Sequence, residues 1–279
     1  MFTTTQRRNS VFKNEQTLST TDLAEPIGRQ HEIDILADAL RPLTRGRNPE
    51  NLFAYGPTGT GKTTCIRHVC CKLEEETRVK TVTINCWKHN TRSSLLTQLL
   101  IELGYPVPRK GIPVDALLTK LHEWIEKHHS IVVVLDEFDQ HQEQSESVYD
   151  LHELAVETEN SLSMILISNT SPSQIDLEPR SLSRLDYQRL HFEPYSEEDL
   201  KQILKQRAQQ AFHRNTLGDN VVDQIAAKVS NERDVGRGDC RRALELLYRA
   251  GREADREQAD KVTTTHVERA IDPPGSQKE

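Results

Sequence analysis

Residues 56–63 read Gly56-Pro57-Thr58-Gly59-Thr60-Gly61-Lys62-Thr63, which fits the pattern G-x-x-x-x-G-K-[ST]. Glycines let the backbone curl until successive N–H groups face one anion. A helix starting at the loop adds the partial positive charge of its N-terminus. Such a cradle suits the phosphates of ATP or ADP. Lys62 would reach the β- and γ-phosphates as a point charge, the Thr63 hydroxyl would ligate Mg²⁺, and Thr64 would complete the nucleotide-binding run. A second pair of chemical residues, Asp136-Glu137, closes the most hydrophobic run of the chain, Ile131-Val132-Val133-Val134-Leu135. Beside a phosphate loop, Asp136 is expected to hold Mg²⁺ directly or through water, since that ion keeps several waters and few protein ligands. Glu137 is expected to polarise a water for in-line attack on the γ-phosphate. Asp139 reads as a helix cap. Asn169 follows the apolar run Ser163–Ser168, where its side chain can contact the γ-phosphate or the water, or cap the turn out of the strand.

These residues need a scaffold that brings them to one place. Asn51–Tyr55 is a short apolar strand running straight into the glycine-rich turn, and the helix after it carries Ile66, Val69 and Leu73 on one side. Residues 29–43 show a helical period at Ile33, Ile35, Leu36, Leu40 and Leu43. A second strand covers Val79–Ile84. Amphipathic helices are expected over 92–103 and 114–126, separated by the Pro- and Gly-rich loop 104–111. The β-branched run 131–135 predicts a buried parallel strand, and 163–168 another. Alternating strands and helices imply an α/β fold with a parallel sheet and helices on both faces. In such sheets ligands sit beyond the carboxyl ends of the strands, where all three chemical motifs fall.

After Pro194 the pattern changes. Ser196-Glu197-Glu198-Asp199 is a capping box. Beyond it only helical periodicity remains: Leu200, Ile203, Leu204; Val221, Val222, Ile225, Ala226; Ala243, Leu244, Leu247. The organisation expected is a flexible tail over 1–20, a nucleotide-binding domain over 21–193, a small all-α domain over 194–271 and a disordered tail over 272–279.

Composition narrows the function classes. With 35% hydrophobic residues and no apolar stretch of about 18, the chain is not expected to enter a membrane, and a cytoplasmic location is expected. The N-terminus carries Arg7 and Arg8 without an apolar run behind them, unlike a secretory signal. Five cysteines with no CxxC pair argue against a disulfide framework or a zinc site and predict buried or half-buried thiols. The net charge of −7 means that any contact with DNA needs a named basic patch.

Together, the phosphate loop, the Asp-Glu pair, the strand-terminal Asn and the helical second domain resemble an AAA+ ATPase: a P-loop core with a parallel sheet, followed by a small all-α lid. The chain resembles the archaeal Orc/Cdc replication initiators more closely still. The resemblance is carried by Pro26-Ile27-Gly28-Arg29, Pro49-Glu50-Asn51-Leu52 through the phosphate loop, Ile84-Asn85-Cys86 and Leu135-Asp136-Glu137-Phe138-Asp139. It continues in Ser181-Leu182-Ser183-Arg184-Leu185, Phe192-Glu193-Pro194-Tyr195 and Gly238-Asp239-Cys240-Arg241-Arg242-Ala243, so that it spans roughly 11–271. The Pro-Tyr segment and Gly-Asp-x-Arg-Arg-Ala are the more specific signals.

The resemblance implies further roles. Arg241 would contact the γ-phosphate of the same subunit's ATP. Tyr195 and Arg207 would line the nucleotide from the lid, and Ile27 and Gly28 would flank the adenine. Arg184, with Arg180 as its competitor, would be the arginine finger acting on ATP held by a neighbouring subunit. The insert Trp87–Gly111 matches a region that touches DNA in these initiators, with Lys88, Arg92, Arg109 and Lys110 supplying charge. Such contacts are salt-sensitive and largely blind to sequence. The partners implied are double-stranded DNA, other AAA+ initiator subunits or the replicative helicase. Family members continue beyond the lid into a winged helix that supplies most origin recognition. This sequence stops at Glu279, so weak DNA binding is expected. A nucleotide-held regulatory module, or a transposon- or plasmid-encoded AAA+ helper, is the alternative to an ATP-switched initiator.

Overall fold

The structure is a computed structural model. It describes residues 10–18, 26–47, 49–106, 111–128, 130–158, 161–175, 177–178, 181, 185–232 and 236–272. The chain divides into two compact units. A sheet unit comprises Arg29–Pro57 and Gly61–Phe192, and a helical unit comprises Met1–Gly28, Thr58–Thr60 and Glu193–Glu279.

In the sheet unit, β1 (Asn51–Tyr55), β2 (Lys80–Asn85), β3 (Ser130–Asp136), β4 (Ser161–Ser168) and β5 (Tyr187–His191) form a sheet of order β2-β3-β4-β1-β5. Every pairing is parallel. The interior strands β3 and β4 are buried along nearly their whole length, which is why they read as unbroken apolar runs. Their alternate residues still serve different faces. Val132, Val134, Ile165 and Ile167 join Leu52 and Ala54 against α1 (Gln30–Leu40) and α2 (Lys62–Glu76). Ile131, Val133, Leu135 and Met164 join Phe53 against α3 (Arg92–Glu102), α4 (Val114–Ile125) and α5 (Gln144–Glu157). Helices therefore cover both faces, as the alternating pattern requires. Neither α5 nor β5 was predicted from the sequence, although Val148, Leu151 and Leu154 bury the inner side of α5.

The helical unit holds α6 (Glu197–Ala211), α7 (Val221–Ser230), α8 (Cys240–Arg256) and α9 (Thr264–Ile271). The capping box forms as expected: the Ser196 hydroxyl accepts from the Asp199 N–H at 3.1 Å, and Asp199 accepts from the Ser196 N–H at 3.1 Å. All the periodic apolar residues predicted for this part are buried in one core. Residues 10–18, expected to belong to a flexible tail, are packed on that core instead. Val11, Phe12 and Leu18 are buried, and the Phe12 ring stacks on Phe212 with centroids 4.7 Å apart. Lys13 and Asn14 donate their N–H groups to the Ala211 carbonyl, and Ser10 and Val11 bind Asp255. Three apolar residues without a period mark a strap whose regular part is one 3-10 turn, Glu15–Leu18, which is why the sequence pattern missed them. The segment 273–279, also expected to be a tail, lies outside the described residues. Among the described residues no helix is long and apolar enough to cross a membrane.

Candidate functional site

The strand order places β4 beside both β1 and β3, so the segments leaving these three strands are neighbours at one end of the sheet. The phosphate loop leaves β1. Its first glycine, Gly56, has φ +146, and a Cβ there would lie 2.2 Å from the Phe192 carbonyl oxygen, so only glycine fits. Gly61, at φ +90, is the N-cap of α2 and turns the chain into the helix. Lys62 is buried, and its ammonium donates to the carbonyls of Gly56 at 2.7 Å and Pro57 at 2.8 Å and to Asn169 Oδ1 at 3.1 Å. A strand-terminal Asn thus meets the loop lysine directly. This is the strand-end position assigned to Asn169, and its backbone N–H is held by Asp139 Oδ1 at 3.0 Å. Asp139 therefore ties the end of β4 to the turn after β3 instead of capping a helix.

Thr63, in the first turn of α2, donates its hydroxyl to both carboxylate oxygens of Asp136 at 3.2 Å. An alcohol and a carboxylate this close form an oxygen donor set suited to a hard divalent cation such as Mg²⁺. Glu137 follows at φ +57, a left-handed conformation uncommon outside glycine and Asn. Two contacts hold it: its N–H donates to Asp136 Oδ1 at 3.0 Å, and Asn85 Nδ2 donates to its Oε2 at 3.0 Å. Asn85 ends β2 and pairs with Asp136 in the strand register. In the sequence, Asn85 carries part of the family resemblance but no chemical role of its own. The available signal was a polar residue at the same strand end as the acids. Next to it, burial pushes the Cys86 thiol up to about 12, with the charges of Asp136, Asp139 and Glu137 adding to the effect. Cys65 and Cys70 are buried thiols too, whereas Cys71 is exposed, against expectation.

In the helical unit, Tyr195 is buried and its N–H donates to the Gly238 carbonyl at 3.3 Å. Ile27 packs on the helical core, and Gly28 has φ +68, with Asp199 Oδ1 2.6 Å from where a Cβ would be. Arg207 is buried and donates to the Thr17 carbonyl at 3.1 Å, so the N-terminal strap braces this arginine. Arg241 is exposed at the start of α8, and its N–H is capped by Asp239 Oδ1 at 2.8 Å. Thr58 and Gly59 of the phosphate loop also lie in this unit, against Asp239 and Cys240.

Residues 45–175 match the AAA domain family, and residues 201–272 match the Cdc6 AAA+ ATPase-type lid domain. An ORC1-type DNA replication protein of Pyrococcus abyssi is 36% identical over 278 residues, covering 95% of this chain and 65% of the relative. The solved structure of the Aeropyrum pernix ORC1 protein in complex with DNA is 30% identical, with a TM-score of 0.84 over 95% of this chain and 70% of that one. The chain belongs to the ORC1/Cdc6 family of AAA+ proteins. A second Aeropyrum pernix structure, the ORC2 protein in ADPNP-ADP complexes, shares the fold at 23% identity and a TM-score of 0.80, covering 93% of this chain and 72% of that one. This ORC1/Cdc6-type chain spans 65% of the length of the curated relative from Pyrococcus abyssi.

Within this ORC1/Cdc6-type chain the expected DNA patch is altered. Lys88 is exposed beside Trp87, which is 66% exposed. Arg92 is not part of a free basic surface. Its Nε and Nη2 both donate to Asp150 at 2.6 Å, and that carboxylate is only 3% exposed. The pair ties α3 to α5, and the hydrogen bonds to Asp150 raise the arginine's pKa further. Arg109 and Lys110 lie outside the described residues, as do Arg184 and its competitor Arg180.

Proposed function

We propose that this chain binds ATP, hydrolyses it to ADP, and uses the difference between the two as a switch in the initiation of DNA replication. The observation that carries the reading is the meeting of three strand ends: Thr63 against Asp136 at 3.2 Å, Glu137 next to them, and Lys62 against Asn169 at 3.1 Å. In this reading Gly56, Pro57, Thr58, Gly59, Thr60, Gly61 and Thr64 line the phosphates with Lys62. Lys62 exchanges its carbonyl partners for β- and γ-phosphate oxygens. Thr63 and Asp136 hold Mg²⁺, which neutralises charge on the phosphate oxygens when bound. Glu137 orients the attacking water and accepts its proton. Asn85 fixes the carboxylate that does so, and Asn169 fixes the water or the γ-phosphate.

Arg241 reads the γ-phosphate of the same subunit, while Tyr195, Arg207, Ile27 and Gly28 shape the nucleotide's surroundings. Arg184 acts on ATP of a neighbouring initiator subunit. Lys88, Arg109 and Lys110 supply phosphate contacts to double-stranded DNA, and other initiator subunits or a replicative helicase receive the output.

The deciding experiment measures ATP binding and phosphate release together. Lys62→Ala should abolish nucleotide binding. Glu137→Gln should keep ATP bound and stop release. A Glu137→Gln protein that turns over at the parental rate refutes the catalytic assignment. A parent that holds ATP without any release, with or without DNA and partner subunits, is a nucleotide-held regulatory module.

A further inference from the structure

The Gly-Asp-x-Arg-Arg-Ala segment singled out in the sequence contains one acid, Asp239, to which no role in nucleotide handling has been given. Its surroundings in the helical unit are unusually specific. Oδ1 accepts from the N–H groups of Arg241 at 2.8 Å and Arg242 at 3.2 Å, which caps α8. Oδ2 accepts from the Thr58 hydroxyl at 3.1 Å. Next to it, the Cys240 N–H donates to the Gly59 carbonyl at 3.1 Å. Gly59 itself has φ +70, and a Cβ there would fall 1.7 Å from Asp239 Oδ1. The glycine is therefore demanded by the carboxylate that approaches it as much as by any anion in the cradle. From the other side, Gly238 at φ +64 leaves no room for a Cβ, which would meet the Tyr195 backbone oxygen at 2.6 Å. One carboxylate is thus fixed between the crest of the phosphate loop and the first turn of the helix that carries Arg241.

We infer that Asp239 is a positioning residue that makes the loop crest, Thr58–Gly59, and the Arg241-bearing turn of α8 a single piece. When the loop crest settles around phosphates, Arg241 is carried with it. Thr58 is the specific contact on the loop side, because its hydroxyl is the loop's side-chain donor to Asp239. Discrimination of ATP from ADP then depends on a residue, Asp239, that touches neither. This inference rests on the reading of Arg241 as the residue that senses the γ-phosphate.

Asp239→Ala removes a helix cap and can fail to fold, so the informative variant is Thr58→Val, which leaves the cap of α8 intact. The measurement is affinity for fluorescent ATP and ADP analogues in the full chain, for the parent, Thr58→Val, Arg241→Ala and the double variant. Thr58→Val is expected to lower the preference for ATP over ADP about five- to tenfold, the scale of one solvent-exposed hydrogen bond. In the Arg241→Ala background the same change should leave that ratio unmoved, since the two residues act through one element. If Thr58→Val weakens ATP and ADP equally, or shifts the ratio by the same factor in both backgrounds, the coupling through Asp239 is wrong while Arg241 keeps its role. If Arg241→Ala leaves the ATP-to-ADP ratio at the parental value, the γ-phosphate reading of Arg241 fails and this inference falls with it.

Discussion

Arg92→Ala separates the DNA contact that the resemblance implies from the frame role that the fold gives this residue. As a DNA contact, Arg92 would be dispensable for stability. In the structure it makes a bidentate pair with Asp150, both bonds 2.6 Å, and the Asp150 side chain is only 3% exposed. Removing one partner of a buried pair costs about 3–5 kcal/mol, because the remaining charge stays out of water. Arg92 retains 29% exposure, so water screens the pair from one side and brings the cost down to about 2–3 kcal/mol. At roughly 2–4 °C per kcal/mol for a chain of this size, the unfolding midpoint should fall by about 4–12 °C. Circular dichroism melts of the parent, Arg92→Ala, Asp150→Ala and the double variant provide the test. The double variant should be less destabilised than the two single losses combined, since no unpaired charge remains. Duplex DNA affinity and its salt dependence should stay at parental values in Arg92→Ala. An unchanged midpoint, together with a salt slope shallower by about one, would refute the structural role and return Arg92 to the phosphate-contacting patch.

Gly56→Ala should lower nucleotide affinity by at least about tenfold, because a Cβ placed 2.2 Å from the Phe192 carbonyl forces the loop or that backbone to shift. Titration with an ATP analogue checks it, and parental affinity would mean that the loop tolerates a displaced β1–β5 junction. His141 gives a pH signature: burial holds its pKa below the ordinary 6.5, with a hydrogen bond to the His89 backbone and the charges of Glu143 and Glu146 opposing. The unfolded chain therefore takes up a proton near 6.5 that the folded chain refuses. The stability from neutral His141 is whole above that value and is lost as pH falls from 6.5 toward the folded pKa. Denaturant midpoints for His141→Gln should vary less between about pH 7 and 5 than those of the parent, with His266, shifted the same way, keeping a residual slope. Identical slopes for the two proteins would show that His141 does not resist protonation.

Sequence patterning reached the elements whose physics is local. The runs 131–135 and 163–168 are interior strands because β-branched residues without polar interruption fit only a sheet buried on both faces. The capping box at Ser196 announced α6 for a similarly local reason. What stayed hidden has a non-local cause. β5 reads Tyr187-Gln188-Arg189-Leu190-His191, polar enough to pass for a loop, because it is an edge strand with one neighbour. The N-terminal strap carries only Val11, Phe12 and Leu18 as apolar anchors, and its partners Phe212 and Asp255 lie far along the chain, Asp255 245 residues from Ser10.

The same distinction runs through the candidate site. A phosphate loop is legible because its chemistry is written in one short run, with glycines and donors at fixed offsets. Asn85 and Asp139 meet the strand-end residues from other elements, and their residue types fit a cap or a turn equally well until the strand register is known. Asn85 comes to face Glu137 because β2 pairs in parallel with β3, setting Asn85 level with Asp136. Asp139 meets the Asn169 N–H because β3 and β4 are neighbours. Arg92 shows the converse case. A basic residue in a basic stretch reads as surface charge, and only the packing of α3 on α5 reveals Asp150 waiting for it. For a polar residue outside the loop, then, residue type fixes which bonds it can make, and topology decides whether those bonds belong to the chemistry or to the frame that holds it.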